Sequence, residues 1–547
     1  MSERFDVIVI GAGHNGLVTA AVLAGAGKTT LVLERRPLVG GACVTEELIP
    51  GHRFSTASYV CSLMRPEIIE ELALRDHGFE MLPCSSSFTV FPEGGALLLG
   101  LDAAEDARQI ARYSKKDAEA YPRFNAALSR LADLLRPTLA MTPPDPAAPG
   151  LGDLLRLLKL GNRFRRMTRA DQTLLFKMMT MSCAALLDEW FESSQLKATL
   201  APTSTIGTYG SPRTPGTAFV LLHYYLGEAN GSPGSWGFVK GGMGGLAEAL
   251  ASAARSRGAV IRVGQAVDRI LIENGRARGV LLEGGAVIEG GVVVSNADPK
   301  RTFQRLVDPD LLPDEFRRGV ETIRCTGNSA KINLALSELP DFVALPGDGP
   351  HLRGSIQICG SRESYLEEAF DDFKAGHPSR RPYLEVTIPS TVDATLAPAG
   401  RHVMSISMKF VPYRPAHGDW ESRREELGDL AIDTLAACAP NLRRSIVFRQ
   451  VLTPRDLEER FALTGGNICH GDMALDQLFA MRPLLGWAGY RTPIDGLYLC
   501  GAGTHPGGGV MGSCGRNAAR EIIADLRRGA RRAGRETRAP RSPRPAR

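Results

Sequence analysis

None of the ten cysteines, at positions 43, 61, 84, 183, 325, 359, 438, 469, 500 and 514, pairs with another in a C-x-x-C spacing. This argues against a dithiol redox motif or a zinc knuckle and predicts buried, reduced, inert thiols. No run reaches the ~18 apolar residues that a membrane-spanning helix requires. A strand-like run already begins at Phe5, which leaves no room for a signal or transit peptide. The expectation is a soluble, cytoplasmic protein. No Ser–His–Asp arrangement, metal-ligand spacing or paired-carboxylate motif can be read, so no metal is expected and no catalytic acid or base can be named. Aromatic residues are scarce, at 6%. The formal charge of +5 is concentrated at one end: residues 527–547 carry nine arginines and one glutamate, leaving the remainder at −3. A mildly acidic body gives no reason to expect a nucleic-acid partner.

Glycine, in contrast, is plentiful, with 59 in 547 residues, and it is clustered. Residues 5–34 read as one unit. Phe5–Ile10 is a β-branched apolar run, as in a strand covered on both faces. Gly11-Ala12-Gly13-His14-Asn15-Gly16 follows with the G-x-G-x-x-G spacing, then the small-residue helix pattern LVTAAVLAGA, then a second strand, Thr30–Leu33, ending in Glu34. Gly11 permits the turn, Gly13 lets a pyrophosphate reach the backbone, and Gly16 lets helix and strand pack closely. Glu34 is placed to accept from a ribose diol, which disfavours a 2′-phosphate and leaves FAD or NAD. His14 reads as a loop residue at a tolerant position. Arg35 and the Gly40-Gly41-Ala42 doublet follow the acid, as expected where an FAD pyrophosphate lies against backbone.

Near the other end, GLYLCGAGTHPGGGVMG (496–512) gives a strand, a glycine-rich loop and the start of a helix. Together with GAGHNGLV, ERRPLVGGACVTEE, GGMGGLAEAL (241–250) and VVVSNADP (292–299), it resembles the phytoene desaturase-type FAD oxidoreductases. Within them it is most similar to the pyridine nucleotide-disulphide oxidoreductase domain-containing protein 2 branch. The resemblance spans residues 3–526. It implies an α/β fold: a Rossmann-type FAD-binding domain of amine oxidase/phytoene desaturase type with an inserted mixed-sheet and helical substrate domain. It implies further that Gly501 and Ala502 lie under the flavin, and that Val510, Met511 and Gly512 start a helix aimed at the flavin N1–C2=O edge. Val267 would touch the adenine through its backbone. Ala502 stands where many FAD enzymes carry an aspartate, so backbone groups must replace that contact. Gly241–Leu246 is not preceded by a buried strand and fails as a second nucleotide site. Electrons would therefore leave FAD for oxygen or a quinone.

The expected FAD-binding domain comprises 1–80, 236–300 and 480–526; the substrate domain, with its helical insert, comprises 81–235 and 301–479; 527–547 is a basic disordered tail. Residues 102–135 and 151–200 are helical in pattern, and strand-like runs between 325 and 470 form a cavity floor. DLLRLLKLGNRFRRMTR reads as a solvated basic face, or as a peripheral membrane contact that collects a lipophilic substrate. His505, Tyr209, His223 and Lys240 are candidates to assist a proton transfer. The expected function is FAD-dependent oxidation of an apolar, polyene- or lipid-like substrate. A carotenoid ketolase-like enzyme and a flavin-binding regulatory protein are the alternatives, and the oligomeric state is not readable.

Overall fold

The computed structural model describes residues 3–536 except 85, 230–231 and 363. Two seven-stranded sheets organise the chain. In the first, strand Glu3–Ile10 lies between Thr30–Leu33 and Val287–Ser295, parallel to both. Its residues alternate between two cores. Val7 and Val9 pack toward helices His14–Gly25 and Met243–Ser256. Ile8 and Ile10 pack on the opposite face with Phe303, Phe316 and Leu306. A strand buried on both faces explains the unbroken apolar run.

The long strand Val287–Ser295 is the hinge of this sheet's topology. One edge pairs with Glu3–Ile10 from Ile288 to Ser295. The other edge pairs antiparallel with the hairpin arm Arg276–Leu282 at one end and parallel with Leu497–Leu499 at the other. The hairpin turns at Asn274 and Gly275, both at positive φ, as a tight two-residue turn demands. The last helix, Ser513–Glu536, crosses the first at Gly515, where a Cβ would stand 2.1 Å from the Asn15 carbonyl oxygen. Thr19 Oγ1 donates to the Gly515 carbonyl at that crossing. This helix continues through residues 527–536, where composition predicts disorder; the rest of the predicted tail, 537–547, lies outside the described residues.

In the second sheet the order is Ile446–Leu452, Ser329–Leu336, His402–Lys409, Leu384–Thr387, Ser355–Ile358, Ser87–Val90, Ala96–Leu99. All neighbours are antiparallel except Ser87–Val90 with Ser355–Ile358. One face, with Ile332, Leu334, Val386 and Ile406, packs on helix Trp420–Ala436. A helical group including Lys115–Leu135, Cys183–Trp190 and Thr217–Tyr225 forms a further core. The pattern at 102–135 resolves into two helices because Ser114 caps the second by accepting from the Asp117 N–H.

Candidate functional site: a cavity between the two sheets

A cavity of about 540 Å³ is bounded by the first glycine loop, the 40–43 turn, the last glycine loop and the polar face of the second sheet. Gly11, Gly13, Asn15, Glu34, Arg35, Gly40, Gly41, Ala42, Val267, Ala502 and Val510 line it. Ala12, Gly16, Gly501, Met511 and Gly512 do not.

Each of these five has a structural place instead. A Cβ on Gly16 would stand 2.2 Å from the Gly11 carbonyl oxygen, so glycine lets the helix sit on its own strand. A Cβ on Gly501 would come within 2.6 Å of the Asn296 carbonyl oxygen. Ala12 presents its N–H to Glu34. The last helix begins at Ser513, just past the three residues expected to start it, because Gly512 sits at φ +74 and turns the chain into it. The open side of Gly512 faces Ile68 and Val18, and Met511 is buried with Leu63, Leu139 and Val220. Of the three, only Val510 reaches the cavity.

Glu34 is buried, and both its oxygens are in use: Oε2 accepts from the Ala12 N–H and Oε1 from the Arg36 N–H, each at 2.9 Å. The carboxylate braces the glycine loop against the next turn and keeps further lone pairs toward the cavity. Arg35 donates to the carbonyls of Glu459 and Arg460. Val267 opens the strand that follows Gln265, whose N–H donates to the Glu34 carbonyl.

Several cavity residues carried no site expectation. Asn296, from the SNADP motif, donates through Nδ2 to the Gly11 carbonyl at 3.3 Å and lies against Gly13 and Gly16. His14 is half-buried, with Sγ of Cys43 3.7 Å from its Nδ1, and desolvation beside His470 pushes its pKa down to about 4. His14 Nε2 and His470 Nδ1, both on cavity-lining residues, have no hydrogen-bond partner among the described residues. Lys331, Glu385 and Lys409 contribute a buried polar floor.

The four proton-transfer candidates do not line this cavity. His505 Nε2 is 2.9 Å from the Thr138 carbonyl oxygen, and His223 Nε2 is 3.1 Å from that of Gly508; both line a separate small recess. Tyr209 packs on Phe370 and Phe373, and Lys240 pairs with Glu80 at the surface. Burial holds His223 and His505 near pKa 4, below the 6.5 of a free imidazole. The unfolded chain therefore takes up protons first as pH falls, so native stability is lost from about pH 6.5 toward 4. Urea midpoints measured between pH 7 and 4.5 should decline across that window, and less steeply in a His223→Gln variant.

The 241–246 segment does cap a helix, but its N–H groups already have protein partners. Gly241 donates to Asp393, Met243 to Ser55 Oγ and Gly244 to Thr45 Oγ1. A Cβ on Gly242 would stand 2.4 Å from Thr45 Oγ1. These glycines serve packing against the 45–55 hairpin. None of the ten cysteines forms a disulfide, and no group of His, Cys, Asp or Glu among the described residues is placed to hold a metal. No described helix is long and apolar enough to cross a membrane.

Comparison with known proteins places this geometry. Residues 16–523 match the model of the flavin containing amine oxidoreductases. Pyridine nucleotide-disulfide oxidoreductase domain-containing protein 2 of Rattus norvegicus is 44% identical, covering 96% of this chain and 94% of its own length. The lycopene-forming phytoene desaturase of Pseudescherichia vulneris is 26% identical, covering 95% and 99%. Among solved structures, cyclohexylamine oxidase from Brevibacterium oxydans shares the fold with a TM-score of 0.58 at 16% identity, covering 96% of this chain and 99% of its own. The family's flavin is in keeping with a cavity that has a glycine loop without room for a Cβ at Gly16 and an acid at the end of the second strand. The cofactor is FAD, and the chain is an FAD-dependent oxidoreductase that belongs to the flavin containing amine oxidoreductase family.

Proposed function

We propose that this oxidoreductase removes hydride from an apolar, polyene- or lipid-like substrate and delivers the electrons to oxygen or a quinone. The observation that carries the reading is the composition of the one cavity, where the dinucleotide loop is continuous with an apolar wall of Leu63, Ile206, Tyr224 and Trp236. The similarity to a phytoene desaturase supports the same substrate class. Bound FAD supplies the two-electron acceptor. Gly11, Gly13, Gly40, Gly41 and Ala42 would hold its pyrophosphate side, with Asn15 at the helix start, Glu34 on its ribose, Arg35 and Val267 at the adenine end, and Ala502 and Val510 at the ring end. The apolar wall excludes water and orients the chain. Anaerobic incubation with C30 and C40 polyenes tests the reading: the flavin absorbance should fall and the product should be two hydrogens lighter. A product carrying added oxygen would instead identify a ketolase, and an unchanged spectrum with every substrate, oxygen and quinone would identify a binding protein.

The acceptor assignment makes a separate prediction. The glycine-rich turn at 241–246 has its N–H groups engaged by Asp393, Ser55 and Thr45, so NADH and NADPH should produce no saturable bleaching of the flavin in an anaerobic stopped-flow experiment.

Delivery of a lipophilic substrate is the proposed role of helix Leu151–Arg165, which has no buried residue. Leu151, Leu155 and Leu158 are 84%, 61% and 69% exposed, and Phe176 of the next helix is 62% exposed. Arg156, Lys159, Arg163, Arg165 and Arg166 lie among them. Apolar and basic groups together suit an anionic lipid surface. Each leucine side chain that gains burial contributes about 1.5–3 kcal/mol at most. A Leu155→Asp/Leu158→Asp variant should therefore co-sediment with phosphatidylserine vesicles at least tenfold less than the wild type while melting at the same temperature.

A further inference from the structure

The second sheet turns an unusual face to the cavity. Lys331 and Glu385 stand opposite Ser407 on its two neighbouring strands, and Lys409, paired with Ser329, lies two residues further along the central strand. Side chains two apart on a strand share a face, so both ammoniums and the carboxylate point the same way, as diagonal neighbours. All three are buried, Lys409 to 2% exposure, and all three line the cavity.

Their partners do not balance. Lys331 Nζ donates to Ser405 Oγ and lies 3.6 Å from the Tyr59 ring centroid. Glu385 is hydrogen-bonded by Tyr59 and Ser355, yet its Oε1 has no partner. Lys409 Nζ makes no ion pair or hydrogen bond among the described residues. Its charged neighbours are Glu385, Lys331 and the neutral thiol of Cys469, whose pKa burial pushes up to about 11. Two lysines and one glutamate therefore share this wall of the cavity, and burial pushes the Lys331 pKa well below its ordinary value and the Glu385 pKa up. A buried charge without a bonded partner is costly, and Glu385 offsets it only from a diagonal position, without a hydrogen bond. Burial correspondingly lowers the pKa of Lys409 from its ordinary value, an effect that an approaching anion would reverse.

We propose that Lys409, diagonal to Glu385 on the cavity floor, is a headgroup site for a carboxylate, so that the preferred substrate is an apolar chain ending in an acid. This rests on the reading of the same cavity as the substrate site. One unpaired ammonium suits a monoanion, while Glu385 opposes a dianion such as a phosphate monoester. The apolar wall of Leu63, Ile206 and Trp236 then takes the chain. The site discriminates by leaving Lys409 unpaired for any ligand that lacks the anion, the strongest form of selectivity a buried polar group provides.

Isothermal titration calorimetry of the FAD-loaded protein with octanoate, octanol and octyl phosphate tests it. Octanoate should bind at least tenfold more tightly than either of the others. Lys409→Met should abolish that preference, and Lys409→Arg should restore part of it, with flavin content unchanged in both. Equal affinity of octanoate and octanol in the wild type overturns the proposal without any variant, as does a preference that survives Lys409→Met. Polyene hydrocarbon oxidation without an acid preference would overturn this headgroup site alone. An acid preference with no oxidation of any apolar chain would overturn the broader reading and leave the site standing.

Discussion

Gly13→Val yields a folded protein that purifies without its yellow colour. The backbone at Gly13 has φ −67, which any residue adopts, so the substitution introduces no backbone strain. What it introduces is volume. A Cβ at this position already stands 2.8 Å from Asn296 Nδ2, and valine adds two methyl groups toward the cavity between the first loop and the 40–41 turn. Asn296 can yield, at the expense of its bond to the Gly11 carbonyl, but the methyls remain where a pyrophosphate must reach the helix N-terminus. Overpacking of this kind costs about 1–3 kcal/mol, a loss of FAD affinity of roughly fivefold to more than a hundredfold. The ratio of flavin to protein absorbance after gel filtration measures it, with a circular-dichroism melt to show that the fold is retained. A variant that retains full FAD would mean that residues 11–16 are not the phosphate cradle.

Arg482→Met should be the most damaging single change to the fold. This guanidinium is buried and has no carboxylate in bonding range. It donates instead to five carbonyls: Ala502 through Nε, Asp472 and Gln477 through Nη1, and Cys469 and Gly471 through Nη2. It thus ties the 469–477 segment, which carries Cys469 and His470 of the cavity wall, to the last glycine loop at Ala502. Methionine fills much of the volume but leaves four of these carbonyls without a donor, since only that of Asp472 also accepts from Gln477 Nε2. Each buried acceptor left without a donor typically costs about 1–3 kcal/mol. Chemical denaturation should show that loss, and hydrogen exchange should show faster opening of 469–477 and 501–509 than of the first strand.

The first sheet and its glycines were legible because local chemistry and tertiary position demand the same residues. Strand 5–10 is apolar on both faces, Asn274-Gly275 can only turn, and Gly16 has no room for a side chain. The floor of the cavity was legible as strands but not as chemistry. Ser329, Lys331 and Asn333, or Ser405, Ser407 and Lys409, alternate with apolar residues, and that alternation is equally the mark of a sheet with one face in water. Only the elements packed above, from distant parts of the chain, make it an interior. The same limit applies at 510–512. The motif announces a loop and a helix, but the side to which Gly512 opens depends on Ile68 and Val18, nearly 450 residues earlier or more. At 527–536 the arginine-rich composition argued for disorder, whereas the segment is the extension of a helix already anchored by Cys514, Ala518 and Ile522 in the core.

The strand Val287–Ser295 receives Glu3–Ile10 on one edge and Leu497–Leu499 on the other, which fixes when the cofactor site can exist during synthesis. The glycine loop that opens the chain has no completed wall until Asn296 is in place, and no last loop until the chain has been made past Leu499. At about 5–20 residues per second, the first strand waits roughly 25–100 s for its final layer. Throughout that interval its apolar edge is a target for chaperones rather than for FAD. Cofactor capture is thus confined to the end of translation.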